Sequence, residues 1–302
     1  MDTVVAAGGI VVAVDGSEHS ERAVEWAAEQ ADLEHRRLLA VSAVEWRPEW
    51  STFWPGAMVG GAPVRPDDLE RAGRAVADEA AALASRLRPG LAVEAVARVG
   101  DPRQVLVDLS ADAHLLVMGS RGRGPLRSML LGSVSSTVVR EARSPVVVCR
   151  PRTGTAPSSG VVVGADGTPE SLPVIRFAFE QASLRGLRLT VLHAYWDAVV
   201  VAAEVRRRSE SLSVAPELED LRVVLSQTVA GFGEQFPDVE VSLQLAHGLV
   251  DEALGSNRSW DLVVVGRHPV DTVRRVLTGS IANAVLEQAH TTVAMVPQSP
   301  VT

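Results

Sequence analysis

The chain reads as an α/β protein built twice over, each half a mainly parallel sheet doubly wound by helices. Apolar strand patterns alternate with helical ones from one end to the other. A glycine frame, Gly119-Ser-Arg-Gly122 followed by Gly132-Ser133, recurs as Gly266-Arg-His-Pro269 followed by Gly279-Ser280, offset by 147 residues at both points. An opening motif, Val11-Val-Ala-Val-Asp15-Gly16-Ser17, recurs as Val161-Val-Val-Gly-Ala-Asp166-Gly167-Thr168, offset by 151 at the aspartate. Self-similarity of that period implies two domains, 1–151 and 160–298, each long enough to bury its own core.

The first half opens with a strand over 9–15, whose apolar run ends at Asp15, and continues with a helix over 19–34 and a strand over 37–44. After a long loop, Leu69, Gly73, Val76, Ala80, Leu83 and Leu87 recur at helical spacing and predict a helix over 66–88. Leu91, Val93, Ala95, Ala97 and Val99 alternate as a strand over 91–99. A helix over 102–112, a strand over 114–119, a helix over 133–142 and a strand over 145–150 complete the half. Arg152 to Gly160, rich in Pro, Gly, Ser and Thr, is the linker. The second half repeats the order: strand 161–166, helix 169–185 opened by the Thr168 cap and Pro169, strand 187–195, helix 216–236, strand 239–246, helix 249–257, strand 261–266, helix 280–289 and strand 292–296.

Composition narrows the function classes. With 46% apolar residues, 22% charged and a net charge of −8, the chain has the profile of a soluble protein without the basic footprint of a nucleic-acid binder. No apolar run approaches a membrane span and no basic stretch precedes the first apolar one, so the expected location is the cytoplasm. Cys149 is the single cysteine, set in an apolar strand pattern, which excludes a disulfide framework. All 29 basic residues are arginine. Without lysine there is no Walker A loop, no Schiff base and no kinase-type lysine, so arginine, backbone N–H groups or a metal must neutralise any phosphate.

Each glycine frame follows an apolar strand and precedes a helix, where free N–H groups and the helix dipole favour an anion. In open α/β sheets ligands bind beyond the carboxyl ends of strands, and Asp15 and Gly119 both end strands. Gly119 and Gly122 permit positive φ and close backbone approach, Ser133 offers a hydroxyl, and Arg121, Arg123 or Arg127 can offset phosphate charge.

Val14-Asp-Gly-Ser17, Leu115-Leu-Val-Met-Gly-Ser-Arg-Gly122, Leu130-Leu-Gly-Ser-Val-Ser-Ser136 and Ser144-Pro-Val-Val-Val-Cys-Arg150 together resemble the universal stress protein family, twice over the chain and in the tandem layout of high-GC bacteria. The resemblance implies a five-stranded, Rossmann-like domain of the adenine nucleotide alpha hydrolase type. It implies ATP, with or without Mg²⁺, where G-x2-G-x9-G-[ST] is intact, as it is in the first half. Residue by residue it implies Ala13, Asp15 and Ala43 against adenosine, Gly119, Ser120, Arg121, Gly122 and Arg123 around ribose and phosphates, and Gly132, Ser133 and Val134 at the helix start. It also implies that the two halves pair through their last strands as an intrachain pseudo-dimer, with a homodimer of whole chains left open.

The corresponding second-half set is Gly164, Asp166, Ala194, Gly266, Arg267, Gly279, Ser280 and Ile281. Here Pro269 replaces the family's glycine, removing an N–H and fixing φ, and Asp271 adds negative charge. Two readings stand: a weaker ATP site, or an ancestral site that now serves packing. Trp46, Trp50, Phe53 and Trp54 cluster in one loop, either as sheet cover or as a partner surface or lid. Arg206-Arg207-Arg208 is a solvated turn or an anion contact, and the seven histidines lack metal spacing. No G-x-S-x-G, H-E-x-x-H or paired-carboxylate pattern demands catalysis. Asp15 and Ser133 could assist slow ATP hydrolysis. The leading expectation is an ATP-dependent stress or signalling module with little or no turnover and an unidentified protein partner. The alternatives are an ATP-hydrolysing or nucleotidyl-transfer enzyme and a ligand-free scaffold.

Overall fold

The structure, a computed structural model, describes residues 6–46, 58–59, 62–63, 65–122, 131–151, 159–165, 167–195, 216–247, 254, 260–267, 285–286, 289 and 291–298. The chain divides into two compact units, Met1–Pro151 and Arg152–Thr302. Unit 1 runs β1 (Ile10–Ala13), α1 (Glu18–Leu33), β2 (Leu38–Val44), β3 (Met58–Val59), β4 (Ala62–Pro63), α2 (Pro66–Leu87), β5 (Val93–Val99), α3 (Pro102–Leu109), β6 (Leu115–Gly119), α4 (Ser133–Glu141) and β7 (Val146–Cys149). Unit 2 runs β8 (Val161–Gly164), a 3₁₀ turn (Pro169–Ser171), α5 (Leu172–Arg185), β9 (Leu189–Tyr195), α6 (Pro216–Gln235), β10 (Val241–His247), β11 (Leu262–Arg267) and β12 (Val293–Pro297).

In unit 1 the sheet order is β5-β2-β1-β6-β7, every pair parallel. Such strands are covered on both faces, which is why Ile10, Val11 and Val12 or Leu115, Leu116 and Val117 are continuous apolar runs with no exposed surface. The first crossover places β2 on one side of β1, and later ones place β6 on the other. The order therefore reverses at β1/β6, and a crevice opens at their carboxyl ends. Unit 2 repeats the order as β10-β9-β8-β11-β12, again all parallel. The short antiparallel pair β3–β4 falls in the long loop expected between the second strand and the helix over 66–88.

Local chemistry starts each helix where it is. Ser17 caps α1 by accepting from the Ser20 N–H, and Glu18 and Glu21 in the first turn complement the dipole. The buried stripe of α1 is small, with Ala23, Ala27, Ala28 and Ala31 fully inaccessible, so the helix lies close on β1 and β6. Asp101 caps α3 through the Arg103 N–H at 2.9 Å, with Pro102 at the first helical position. In unit 2 bulk replaces alanine: Phe179 of α5 stacks on Phe232 of α6 at 5.4 Å, and Gly186 ends α5 at φ +61°.

At the opposite, amino end of β6, Glu34 forms a polar knot that ties α1 to the sheet. Its carboxylate accepts from Gln30 Nε2 at 2.6 Å and Arg36 Nε at 3.1 Å and pairs with His114 Nε2 at 2.9 Å. Burial pushes the Glu34 pKa up, but the His114 and Gln30 hydrogen bonds and the Arg36 charge outweigh it and hold the group below its ordinary value. Among the described residues no helix is long and apolar enough to cross a membrane.

Candidate functional site

The crevice of unit 1 holds a cavity of about 280 Å³. Its floor comes from strand ends: Ala13 of β1 and Val14 just after it, Val41 and Ala43 from β2, Met118 and Gly119 from β6. The Val14 N–H donates to the Val41 carbonyl at 2.9 Å, which carries the β1–β2 ladder one step past the strand. The chain then turns at Asp15 and Gly16. Asp15 Oδ1 accepts the Ser17 N–H at 3.0 Å, an Asx turn that leads into α1, and Gly16 takes φ +74°. Pro102 and Leu106, one helical turn apart on α3, supply an apolar wall suited to a planar ring.

The polar rim is made by the β6–α4 connection, with Arg121, Gly122, Gly132, Ser133 and Val134 all bordering the cavity. Gly132 is the N-cap of α4 and contributes no side-chain cap, while the first intrahelical bond runs from Ser136 N to Gly132 O at 2.9 Å. The N–H groups of Ser133, Val134 and Ser135 thus lack intrahelical acceptors, and all three residues border the cavity. Ser135 Oγ, buried, donates to the Gly119 carbonyl at 2.9 Å and locks α4 onto the end of β6.

The glycines work by close approach. Gly119 and Gly122 are not at positive φ, which corrects the expectation of left-handed loop residues; the nearby glycine that is at positive φ is Gly16, in the turn after β1. A Cβ on Gly119 would stand 2.7 Å from the His19 carbonyl oxygen and 2.8 Å from its carbon, because the start of α1 lies directly over β6. A Cβ on Gly122 would collide with Asp15 Oδ2. At Gly132 the nearest neighbours to a Cβ are 3.6 Å away and φ is −72°, so a methyl fits.

Of the first-half residues expected here, Ala13, Asp15, Ala43, Gly119, Arg121, Gly122, Gly132, Ser133 and Val134 all border the one cavity. Ser120 does not. Its N–H donates to Cys149 O at 3.1 Å and its carbonyl accepts from Gly132 N at 2.9 Å, so it is only 2% exposed and braces the loop from behind. Arg123 lies outside the described residues. Val41 and Met118 were legible as strand neighbours of Ala43 and Gly119. Pro102 and Leu106 carried no local signal, since only the fold brings α3 across. His19 gave no signal in the sequence beyond the lack of metal spacing among the seven histidines. It stands beside the rim with Nδ1 3.2 Å from Arg22 Nη1, and burial, then the Arg121 and Arg22 charges, hold its pKa below the ordinary value against Glu18 and Asp15.

In unit 2, Gly164 ends β8 and Ala194 lies near the end of β9. Ala165 N donates to Leu192 O at 3.0 Å, the counterpart of the Val14–Val41 bond. His193 Nδ1 lies 2.8 Å from the Ala165 carbonyl. Gly266 and Arg267 close β11, where burial lowers the Arg267 pKa. A Cβ on Gly266 would meet Gln298 Nε2 at 2.6 Å, a side-chain tip where unit 1 has helix backbone. Asp166, Pro269, Gly279, Ser280 and Ile281 lie outside the described residues, as do Trp50, Phe53, Trp54 and Arg206 to Arg208.

The family model for universal stress proteins matches this chain twice, over residues 8–150 and 159–297. The chain belongs to the universal stress protein family. A universal stress protein of Mycobacterium tuberculosis is 33% identical over 295 residues, covering 96% of this chain and 97% of its own length, so tandem size is shared as well. Among solved structures, a universal stress protein from Archaeoglobus fulgidus covers 96% of both chains with a TM-score of 0.68 at 17% identity, a likeness of fold. A universal stress protein solved in complex with cAMP is 28% identical and covers 47% of this chain and 97% of its own, with a TM-score of 0.36.

Proposed function

We propose that the unit 1 cavity of this universal stress protein binds ATP and that the protein is a nucleotide-dependent regulatory module with little or no turnover. The observation that carries the reading is the meeting, in one cavity, of an apolar wall with a rim that holds Arg121 and the start of α4. The start of α4, without a side-chain cap, and the Arg121 guanidinium offer backbone donors and positive charge to an anion, and Gly119 and Gly122 let the backbone pack closely around them. Pro102, Leu106, Val41 and Ala43 offer a ring-sized apolar surface, and Asp15 a carboxylate of the kind that accepts from ribose hydroxyls. A cavity near the lower end of the roughly 300–1,000 Å³ typical of small-molecule sites suits a nucleoside with its phosphates reaching the rim. A bound nucleotide would supply negative charge at the rim; the chain's own residues supply donors, arginine charge and a dry wall.

In unit 2, Pro269 in the loop makes the corresponding site the weaker one. The deciding experiment is to denature purified protein and identify released nucleotide by mass spectrometry, with stoichiometry per chain. Adenine nucleotide at about one per chain supports the reading. Absence of nucleotide, with no ATP binding at millimolar concentration by calorimetry, refutes it and leaves the ligand-free scaffold.

A further inference from the structure

We propose that His19 couples phosphate occupancy of the unit 1 cavity to proton uptake, so that this protein holds a nucleoside polyphosphate more tightly as pH falls and a bare nucleoside at constant affinity. The inference rests on the nucleotide reading of the same site and adds a regulator to it.

The geometry begins at Gly119. Its missing side chain lets the start of α1 settle on the end of β6, where a Cβ would lie 2.9 Å from His19 Cβ. His19 is thereby held against Gly119, which borders the cavity. The charged groups facing it come from three elements: Glu18 and Arg22 on α1, Arg121 on the connection after β6, and Asp15 on the turn after β1. Arg121 and Asp15 border the cavity. Arg22 Nη1 lies 3.2 Å from His19 Nδ1, so in the neutral ring that nitrogen is the acceptor and a proton placed on it would face a guanidinium. Burial and two arginines disfavour the imidazolium in the free protein more than Glu18 and Asp15 favour it.

Polyphosphate changes that balance. Anionic oxygens held by Arg121 and the start of α4 neutralise the larger of the two opposing arginine charges and add several negative charges at the rim. The imidazolium becomes the favoured form, as linkage requires of any group whose surroundings turn negative. The sign follows directly. The titration midpoint of His19 is low in the free protein and higher in the complex. ATP affinity is greatest below the free midpoint and declines as pH rises through the interval between the two, then levels off. Each unit separating the midpoints corresponds to about a tenfold preference of ATP for the protonated protein. Adenosine adds no charge at the rim and leaves the midpoint in place.

The test is an NMR titration of the His19 imidazole, assigned by loss of its signal in His19→Gln, in the full chain free, saturated with adenosine and saturated with ATP. The expected result is a midpoint below 6.5 in the free protein, unmoved by adenosine and raised by about one unit or more by ATP. Calorimetry in two buffers of different ionisation enthalpy should show ATP binding to take up a fraction of a proton beyond that taken up by His19→Gln, a difference in which titration of ATP itself cancels. An ATP complex in which the His19 midpoint stays where it was overturns the coupling alone. Failure of both ligands to bind overturns the reading of the site and the coupling with it.

Discussion

Gly122→Ala separates the role of close approach in the rim from that of chain flexibility. The new methyl would collide with Asp15 Oδ2 and stand 3.5 Å from its Cγ. Asp15 cannot swing away freely, because its other oxygen accepts the Ser17 N–H at 3.0 Å in the turn that starts α1. Either that bond breaks or the Arg121–Gly122 segment lifts from the cavity. Overpacking of this kind costs about 1–3 kcal/mol. If ATP binding must restore the original rim, that converts to a roughly 5- to 150-fold loss of affinity. Gly132→Ala is the internal control. Its methyl meets nothing closer than 3.6 Å at φ −72°, and exchanging glycine for alanine at an N-cap costs on the order of 1 kcal/mol, about fivefold at most. Calorimetric titration of both variants with ATP, with urea unfolding to verify that each is folded, makes the comparison. Wild-type affinity in Gly122→Ala, or an equal loss in Gly132→Ala, would show that contact between the loop and Asp15 does not shape the site.

Gly119→Ala meets helix backbone at 2.7 and 2.8 Å, so it should destabilise unit 1 by about 1–3 kcal/mol, seen as a lower urea midpoint for the unit's unfolding transition. Glu34 has its folded pKa held below the ordinary carboxylate value of 4.5, so its stabilising share is fully present above that pH and is lost as pH falls through the folded value. Urea unfolding of wild type and Glu34→Gln should therefore differ fully above pH 4.5 and draw together only as pH falls from 4.5 through the lower folded value; a constant gap would remove the polar knot as the cause. In unit 2, Pro269→Gly should strengthen ATP binding by about one to two decades, the worth of one hydrogen bond to a charged group, while unit 1 is unchanged. Site-resolved titration that finds no gain would show that this loop tolerates proline.

The alternation of periods, the duplicated glycine frame and the aspartate that ends the first strand are properties of neighbouring residues, and they are enough to read two doubly wound parallel sheets and to point to the carboxyl edge of β1 and β6. Short-range chemistry wrote those signals: cap residues, apolar runs of strand length, a helix start behind a glycine. What each glycine does was decided elsewhere. Gly119 is obligatory because the backbone of His19, a hundred residues earlier, rests on it, and Gly122 because it abuts Asp15; neither neighbour can be inferred from loop composition. Ser120 has the composition of a phosphate-loop residue but is turned away from the cavity, because its backbone continues the β6–β7 ladder to Cys149 before the chain leaves the sheet. Pro102, Leu106 and His19 reach the site only through helix packing. Spacing along the chain specifies which backbone groups end at the crevice, whereas the crossing of helices over the sheet specifies which side chains meet there, and that depends on contacts far apart in sequence.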